Sequence, residues 1–182
     1  MGTARHGRLI VERLIVDGYN LIFSDAHYAS LARDDLDTAR AQLVEDVAAY
    51  CRGEARGTVV FDGGGNPASD GTPHHIAGVT ILFSRAGETA DSVIEALAAR
   101  ARDRDERTVV VTSDADTQWT VMGRGVTRMS SSEFCDALRS ETGDWKSDVS
   151  AEGRKGVLQE RIAPDVRDAL SRWARAGGAQ IT

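Results

Sequence analysis

Three short apolar runs in this chain each end in an aspartate, and this repeated pattern constrains the fold most. The runs read LIVD to Asp17, VVFD to Asp62 and VVVTSD to Asp114. Short runs rich in valine and isoleucine are typical of strands that are buried on both faces of a parallel sheet. Because parallel strands place their carboxyl ends at one edge, where open α/β sheets hold their ligands, we expect the three carboxylates to converge there.

Helical and strand patterns alternate along the rest of the chain. Apolar residues at helical spacing predict helices over 35–51, 89–101 and 131–141 and from Pro164 onward. Further strands are predicted over 79–83, 107–112 and 126–129. Strands that alternate with helices imply βαβ units with right-handed crossovers around a parallel sheet.

The remaining segments are predicted to be turns, loops or short elements. They are a turn region over 24–33, a glycine-rich loop over 63–78 with solvated His74 and His75, a short helix over 115–122 and a polar arm over 143–161. In the last helix, Val166, Leu170 and Trp173 share one face. We expect this face to pack on its own domain, with a dimer contact as the alternative.

Charge and composition limit the classes of function. The net charge of −6 argues against nonspecific coating of nucleic acid but is compatible with an enzyme whose clustered acids act on RNA. No apolar run approaches the ~20 residues that a membrane-spanning helix needs, and the first residues lack the apolar core of a signal peptide. We therefore expect a cytoplasmic protein without membrane association, in which Cys51 and Cys135 are reduced structural thiols.

A fourth carboxylate is predicted to lie at the same edge of the sheet. Thr89 is suited to cap a helix, which places Asp91 in the first turn, where the helix dipole alone would explain an acid. Asp91 would also meet Asp17 and Asp114, and converging carboxylates repel each other unless a cation joins them. Mg²⁺ or Mn²⁺ suits such oxygen ligands and activates water for phosphodiester hydrolysis. Neither a Ser-His-Asp arrangement nor a P-loop sequence competes with this interpretation.

The ordered motifs resemble a known family, the NYN domain of the PIN-like nucleases in its YacP-like branch. The segments that carry the resemblance are VDGYN over 16–20, VFD over 60–62, GETAD over 87–91 and TSD over 112–114 with Gln118. The resemblance implies a PIN-like three-layer α/β/α fold with a central, mostly parallel sheet. It also implies a nuclease domain over 12–141, followed by a polar arm and C-terminal helix over 142–182, and an RNA endonuclease that depends on Mg²⁺ or Mn²⁺.

The resemblance also assigns roles by position. Asp17, Asp91 and Asp114 become the catalytic metal ligands, and Asp62 becomes a ligand of a second metal or of a metal-bound water. Asn20 would orient Asp17 or a metal-bound water, Gln118 would contact substrate or orient Asp114, and Glu88 would accept a metal-bound water or cap the helix. From their positions beside these motifs rather than from the resemblance, Arg85, Arg124 and Arg128 are expected to grip phosphate, with a solvated surface charge as the alternative for each. The glycines after Asp62 depart from the more charged loop that the family suggests, so substrate contacts there are left open.

Other functions are weighed against this one. A phosphatase of the haloacid dehalogenase type is disfavoured, because Tyr19 stands where that chemistry needs a second acid after Asp17. A non-catalytic RNA-binding module with the same fold is the main alternative, and a nuclease toxin is another. RNA is the expected partner, alone or within a larger RNA–protein assembly, and both monomer and homodimer are left open.

Overall fold

A six-stranded sheet organises the chain in a computed structural model that describes residues 11–52, 54–67, 69–113, 123–149 and 164–175. The strands are β1 (Arg13–Asp17), β2 (Arg56–Phe61), β3 (His74–Ile76), β4 (Val79–Phe83), β5 (Thr108–Val111) and β6 (Val126–Met129). Their order across the sheet is β3-β4-β2-β1-β5-β6, and every neighbouring pair is parallel except β3–β4. The mostly parallel α/β fold is therefore confirmed.

Helices cover both faces of this sheet. They are α1 (Gly18–Ser24), α2 (Ala26–Asp34), α3 (Leu36–Cys51), α4 (Ala90–Asp103), α5 (Ser131–Val149) and α6 (Pro164–Arg175). Side chains of β1 alternate between the two layers: Leu14 and Val16 join the core that includes α3, α5 and α6, whereas Ile15 packs with Ile94 of α4. This alternation follows from the two-residue period of a strand and produces three layers.

Short polar side chains cap the N-termini of the helices α1, α2, α3 and α4. The carboxylates of Asp17, Asp25 and Asp35 accept backbone N–H groups at the starts of α1, α2 and α3, and Thr89 does the same for α4. Each cap satisfies amide groups that have no partner inside the helix. The predicted cap at Thr89, with Asp91 in the first turn, is confirmed.

Three local predictions are wrong. The turn region over 24–33 is mostly helical, because Asp25 ends α1 and at once caps α2 rather than forming a turn. The loop over 63–78 contains β3, in which His74 is half-buried and stacks on Trp173 at a ring-centroid distance of 4.0 Å. The helix predicted over 131–141 continues as α5 to Val149, into the segment predicted as a polar arm, because one glycine costs a helix only about 1 kcal/mol. The predicted helix over 115–122 lies outside the described residues.

The last helix packs against the main core. Val166 and Leu170 are buried in the same apolar cluster as residues of α3, and Trp173 lies against it. Both cysteines are buried and free, as expected, and burial raises the pKa of the Cys135 thiol to about 12. In the part of the chain that the structure describes, no helix combines the length and the apolar character needed to cross a membrane.

Candidate active site

One pocket lies where β1 and β2 end and α4 begins. Its volume is about 450 Å³, and its lining consists of Asp17, Tyr19, Asn20, Phe23, Ser24, Asp62, Ala90 and Asp91. Three of these side chains are carboxylates: Asp17 ends β1, Asp62 directly follows β2, and Asp91 lies in the first turn of α4. The structure thus brings together Asp17 and Asp62, two of the three aspartates of the strand-end pattern, and Asp91, which was predicted from the start of its helix.

Each aspartate is held by its own local structure. Asp17 is 7% exposed, and its Oδ1 accepts the Asn20 N–H at 3.1 Å. Asp62 is exposed directly after β2, and its Oδ1 accepts the Gly64 N–H at 2.7 Å. Asp91 occupies the first turn of α4, whose N–H dipoles favour negative charge. Fixed backbone partners therefore orient the carboxylates of Asp17 and Asp62 before any ligand arrives.

Ser84, which was not among the predicted site residues, connects the two sides of the pocket. Its hydroxyl accepts the Gly63 N–H at 2.9 Å and donates to the Glu88 carbonyl at 2.8 Å, and the residue is 1% exposed. These bonds join the segment after Asp62 to the segment that leads into α4. The sequence feature that points to Ser84 is its position directly after the apolar run of β4.

Asn20 forms a second connection on the opposite side. Its Oδ1 accepts the Ser113 N–H at 2.9 Å and the Ser131 hydroxyl at 2.8 Å, and the Ser131 N–H donates to the Ser113 hydroxyl at 3.1 Å. The bonds hold the end of β5 and the start of α5 against α1. Asp114, which follows Ser113 in the chain, lies outside the described residues, and so does Gln118.

A buried arginine, which was also not among the predicted site residues, supports the wall of the pocket. Arg40 of α3 is 8% exposed, its Nε donates to the Tyr19 hydroxyl at 3.0 Å, and its Nη1 donates to Asp37 at 2.5 Å. The guanidinium carbon also lies 5.3 Å from the centroid of the Tyr19 ring. A paired and hydrogen-bonded cation of this kind fixes the ring of Tyr19, a residue that lines the pocket.

Four further predicted substrate contacts are not among the described residues that line the pocket. Glu88 accepts the Arg85 N–H through Oε2 at 3.3 Å, and the Arg85 Nε donates to the Asp70 carbonyl at 3.0 Å. Arg128 donates from Nε to the Thr112 carbonyl at 3.1 Å, and Arg124 is exposed. Glu88 therefore shapes the turn before α4, and the phosphate contacts of the three arginines stay predictions.

The donor set of the pocket fits a hard divalent cation. Carboxylate oxygens are the ligands that Mg²⁺ and Mn²⁺ prefer, and Mg²⁺ keeps several of its waters when bound. Among the described side chains, no three histidines, cysteines or acids are already close enough to form a metal cage. The three aspartates thus supply oxygen ligands for an ion that keeps several of its waters.

The sequence of the chain matches one family model over most of its length. Residues 14–175 match the YacP-like NYN domain. The chain belongs to this family. NYN domains have a nuclease-like fold, in agreement with the parallel sheet and the acidic pocket at its carboxyl edge.

Similar proteins come from Bacillus subtilis. The uncharacterized protein YacP of strain 168 is 33% identical over 131 residues, which cover 66% of this chain and 71% of that protein. A crystal structure of Rae1 (YacP) superposes with a TM-score of 0.59 at 25% identity and covers 94% of this chain and all of the other. A mutant of Rae1 (YacP) gives 0.62 at 26% identity, with 88% and 98% covered.

Proposed function

We propose that this NYN-domain protein is a divalent-metal-dependent endoribonuclease. The observation that carries the proposal is the convergence of Asp17, Asp62 and Asp91 in one open pocket at the carboxyl edge of the sheet. Three carboxylates repel a phosphodiester as well as one another, so the pocket needs a cation before an RNA backbone can enter. The membership in a family with a nuclease-like fold supports the same reaction.

The carboxylates of Asp17 and Asp91 would hold Mg²⁺ or Mn²⁺ together with the predicted ligand Asp114. When bound, the ion lowers the pKa of its water and neutralises the charge that develops on the phosphodiester. Asp62, more exposed than Asp17, would contact the ion through water or hold a second one. Asn20 would hold the Asp17 carboxylate in position, because its backbone N–H donates to that carboxylate.

Cleavage of end-labelled single-stranded RNA by the purified full chain tests the proposal. Reactions with Mg²⁺, with Mn²⁺ and with EDTA are compared for the wild type, Asp17→Asn and Asp91→Asn. Asp103→Asn is a matched control, because Asp103 is exposed at the other end of α4. We expect cleavage that needs metal, persists in Asp103→Asn and falls at least about a hundredfold in the other two variants, as for loss of a group that acts in the transition state.

Two outcomes would overturn the proposal. Cleavage that survives both Asp17→Asn and Asp91→Asn would show that the activity belongs to another site or another protein. A folded wild type that binds RNA but cuts none of it with either metal would favour the non-catalytic RNA-binding module. Titration of Mn²⁺ into the wild type and Asp17→Asn by calorimetry measures metal binding independently of cleavage.

A further inference from the structure

Phe23 is an exposed aromatic ring at the rim of the acidic pocket. The residue is 63% exposed, and among the described residues its large hydrophobic side chain is the one that lies open to solvent. An isolated apolar residue on a surface is ordinary, but this ring lines the same pocket as Asp17 and Asp91. The helix α1 therefore carries a carboxylate of the pocket at its N-cap and an exposed ring in its last turn.

Phe23 is the outermost ring of an aromatic row that begins in the core. The Phe83 and Phe61 rings are stacked with centroids 5.3 Å apart, and Phe61 and Tyr19 lie 5.2 Å apart. The Tyr19 and Phe23 centroids are separated by 5.9 Å with an interplanar angle of 30°. Offset and tilted pairs at these distances attract each other, so the inner rings support the exposed one.

The inner neighbour of Phe23 is immobilised. Arg40 donates to the Tyr19 hydroxyl, and the Tyr19 ring also packs against the fully buried Phe61. A ring that is already ordered loses little entropy when a ligand stacks beside it, which favours binding. Phe23 thus offers a flat apolar face backed by a fixed wall.

We infer that Phe23, backed by Tyr19, is a stacking platform for an unpaired base of single-stranded RNA whose backbone lies at the acidic pocket. The inference rests on the proposed function, which places RNA in this pocket. A base would add one more flat ring to the aromatic row, and base–aromatic stacking tolerates any sequence. Bases in a duplex already stack on each other, so the platform favours single strands.

A protein partner is the less suitable occupant. One exposed ring beside three carboxylates offers much less apolar area than the roughly 800 Å² per partner of a standard protein interface. A nucleobase needs only the face of the ring, and the adjacent carboxylates with their metal take the phosphates. The site therefore suits a nucleotide better than a second polypeptide.

The experiment measures RNA binding without cleavage in an Asp17→Asn background with Mn²⁺. The probe is a short single-stranded RNA with 2-aminopurine at successive positions and a fluorescent end label. Phe23→Ala, Phe23→Leu and Phe23→Trp are compared, since leucine keeps apolar area without a ring and tryptophan keeps a ring. His75→Ala is the control, because His75 is also an exposed ring but does not line the pocket.

We expect Phe23→Ala and Phe23→Leu to weaken binding about tenfold or more, and Phe23→Trp and His75→Ala to keep it. One 2-aminopurine position should be quenched on binding, and that quenching should vanish in Phe23→Leu. A duplex of the same sequence should not respond to Phe23→Ala. Because Phe23 is exposed, cooperative urea unfolding should show that all of these variants stay folded.

The outcomes separate this inference from the proposed function. One outcome is that the protein with Asp17 intact shows metal-dependent cleavage, but Phe23→Ala or Phe23→Leu in the Asp17→Asn background binds RNA as tightly as Asp17→Asn alone. In that case the stacking platform is overturned and the nuclease stands. If the wild type neither binds nor cleaves RNA, the proposed function and the stacking platform both fail. If Phe23→Ala instead abolishes a protein–protein association while RNA binding is unchanged, the ring belongs to a protein interface.

Discussion

The side-chain oxygen of Asn20 accepts a 2.8 Å hydrogen bond from the hydroxyl of Ser131, although 111 residues separate the two along the chain. Asn20 lies in the first turn of α1, and Ser131 is the first residue of α5. The same oxygen accepts the Ser113 N–H at the end of β5. One amide thus fixes the relative positions of three elements beside the acidic pocket.

Removal of this connection should destabilise the fold. Asn20→Ala leaves the Ser113 N–H and the Ser131 hydroxyl without their acceptor, and we expect a loss of about 1–3 kcal/mol in the free energy of unfolding. Ser131→Ala removes one donor only and should cost about 1 kcal/mol. Urea denaturation followed by circular dichroism measures both values.

Ser132→Ala is the matched control for Ser131→Ala. The two serines are neighbours at the start of α5, but Ser132 is exposed and Ser131 is 1% exposed. Ser132→Ala should change stability by less than about 0.5 kcal/mol. Equal costs for Ser131→Ala and Ser132→Ala would show that the hydrogen bond to Asn20 does not contribute.

The acidic pocket could be predicted from sequence because its signal is local. Asp17 and Asp62 follow apolar runs whose strand direction sets the edge on which they lie, and Asp91 follows a recognisable cap. Arg40 could not be found in the same way. An arginine within a helix is usually solvated, and only the fold shows that its partner is Tyr19, a residue of another helix.

The short helices α1 and α2 could not be predicted from sequence for a related reason. Aspartates favour both turns and helix caps, and the sequence around Asp25 does not distinguish the two. The structure does, because Asp25 accepts N–H groups of α2 and also binds Arg139 of α5 through an ion pair of 2.9 Å. Contacts between distant segments decide such cases.

A side chain at Gly18 should disturb the base of the pocket. Gly18 is buried at the start of α1, and a Cβ there would overlap the ring of Phe61 in the core. We expect Gly18→Ala to lower the free energy of unfolding by about 1–3 kcal/mol through overpacking, despite the better helix propensity of alanine. Thermal and urea unfolding measure the loss.

Gly65→Ala is the control for this substitution. A Cβ at Gly65 would have no heavy atom within 4 Å, so stability should change by less than about 0.5 kcal/mol. The penalty of Gly18→Ala should also shrink in a Phe61→Leu background, where the ring is absent. If Gly18→Ala loses as much stability in the Phe61→Leu background as in the wild type, the steric overlap is not with the Phe61 ring.

The last helix should contribute to the stability of the main core. Leu170 is fully buried in the cluster that contains side chains of α3, and we expect Leu170→Ala to cost roughly 2–5 kcal/mol. Arg172→Ala, at an exposed position of the same helix, should cost less than about 0.5 kcal/mol. A Leu170→Ala protein as stable as the wild type would mean that α6 does not pack there in solution.

The buried carboxyl group of Asp46 should make stability depend on pH. Burial is the largest influence and raises its pKa; hydrogen bonds from Tyr28 at 2.5 Å and from Gln42 at 3.0 Å oppose that rise but do not cancel it. The folded state therefore binds the proton of Asp46 more tightly than the unfolded state, whose pKa is about 3.9. Its stabilising contribution is complete below that value and is lost as the pH rises through the folded pKa.

Asp46→Asn should remove this dependence, because an amide oxygen can still accept the Tyr28 hydroxyl without carrying a charge. We expect the stability of Asp46→Asn relative to the wild type to increase as the pH rises from about 4 to about 7. Urea unfolding at several pH values measures the difference. Asp103→Asn, an exposed position, controls for the general effect of removing one charge. A difference between Asp46→Asn and wild type that stays constant over this range would show that Asp46 titrates alike in the folded and unfolded states.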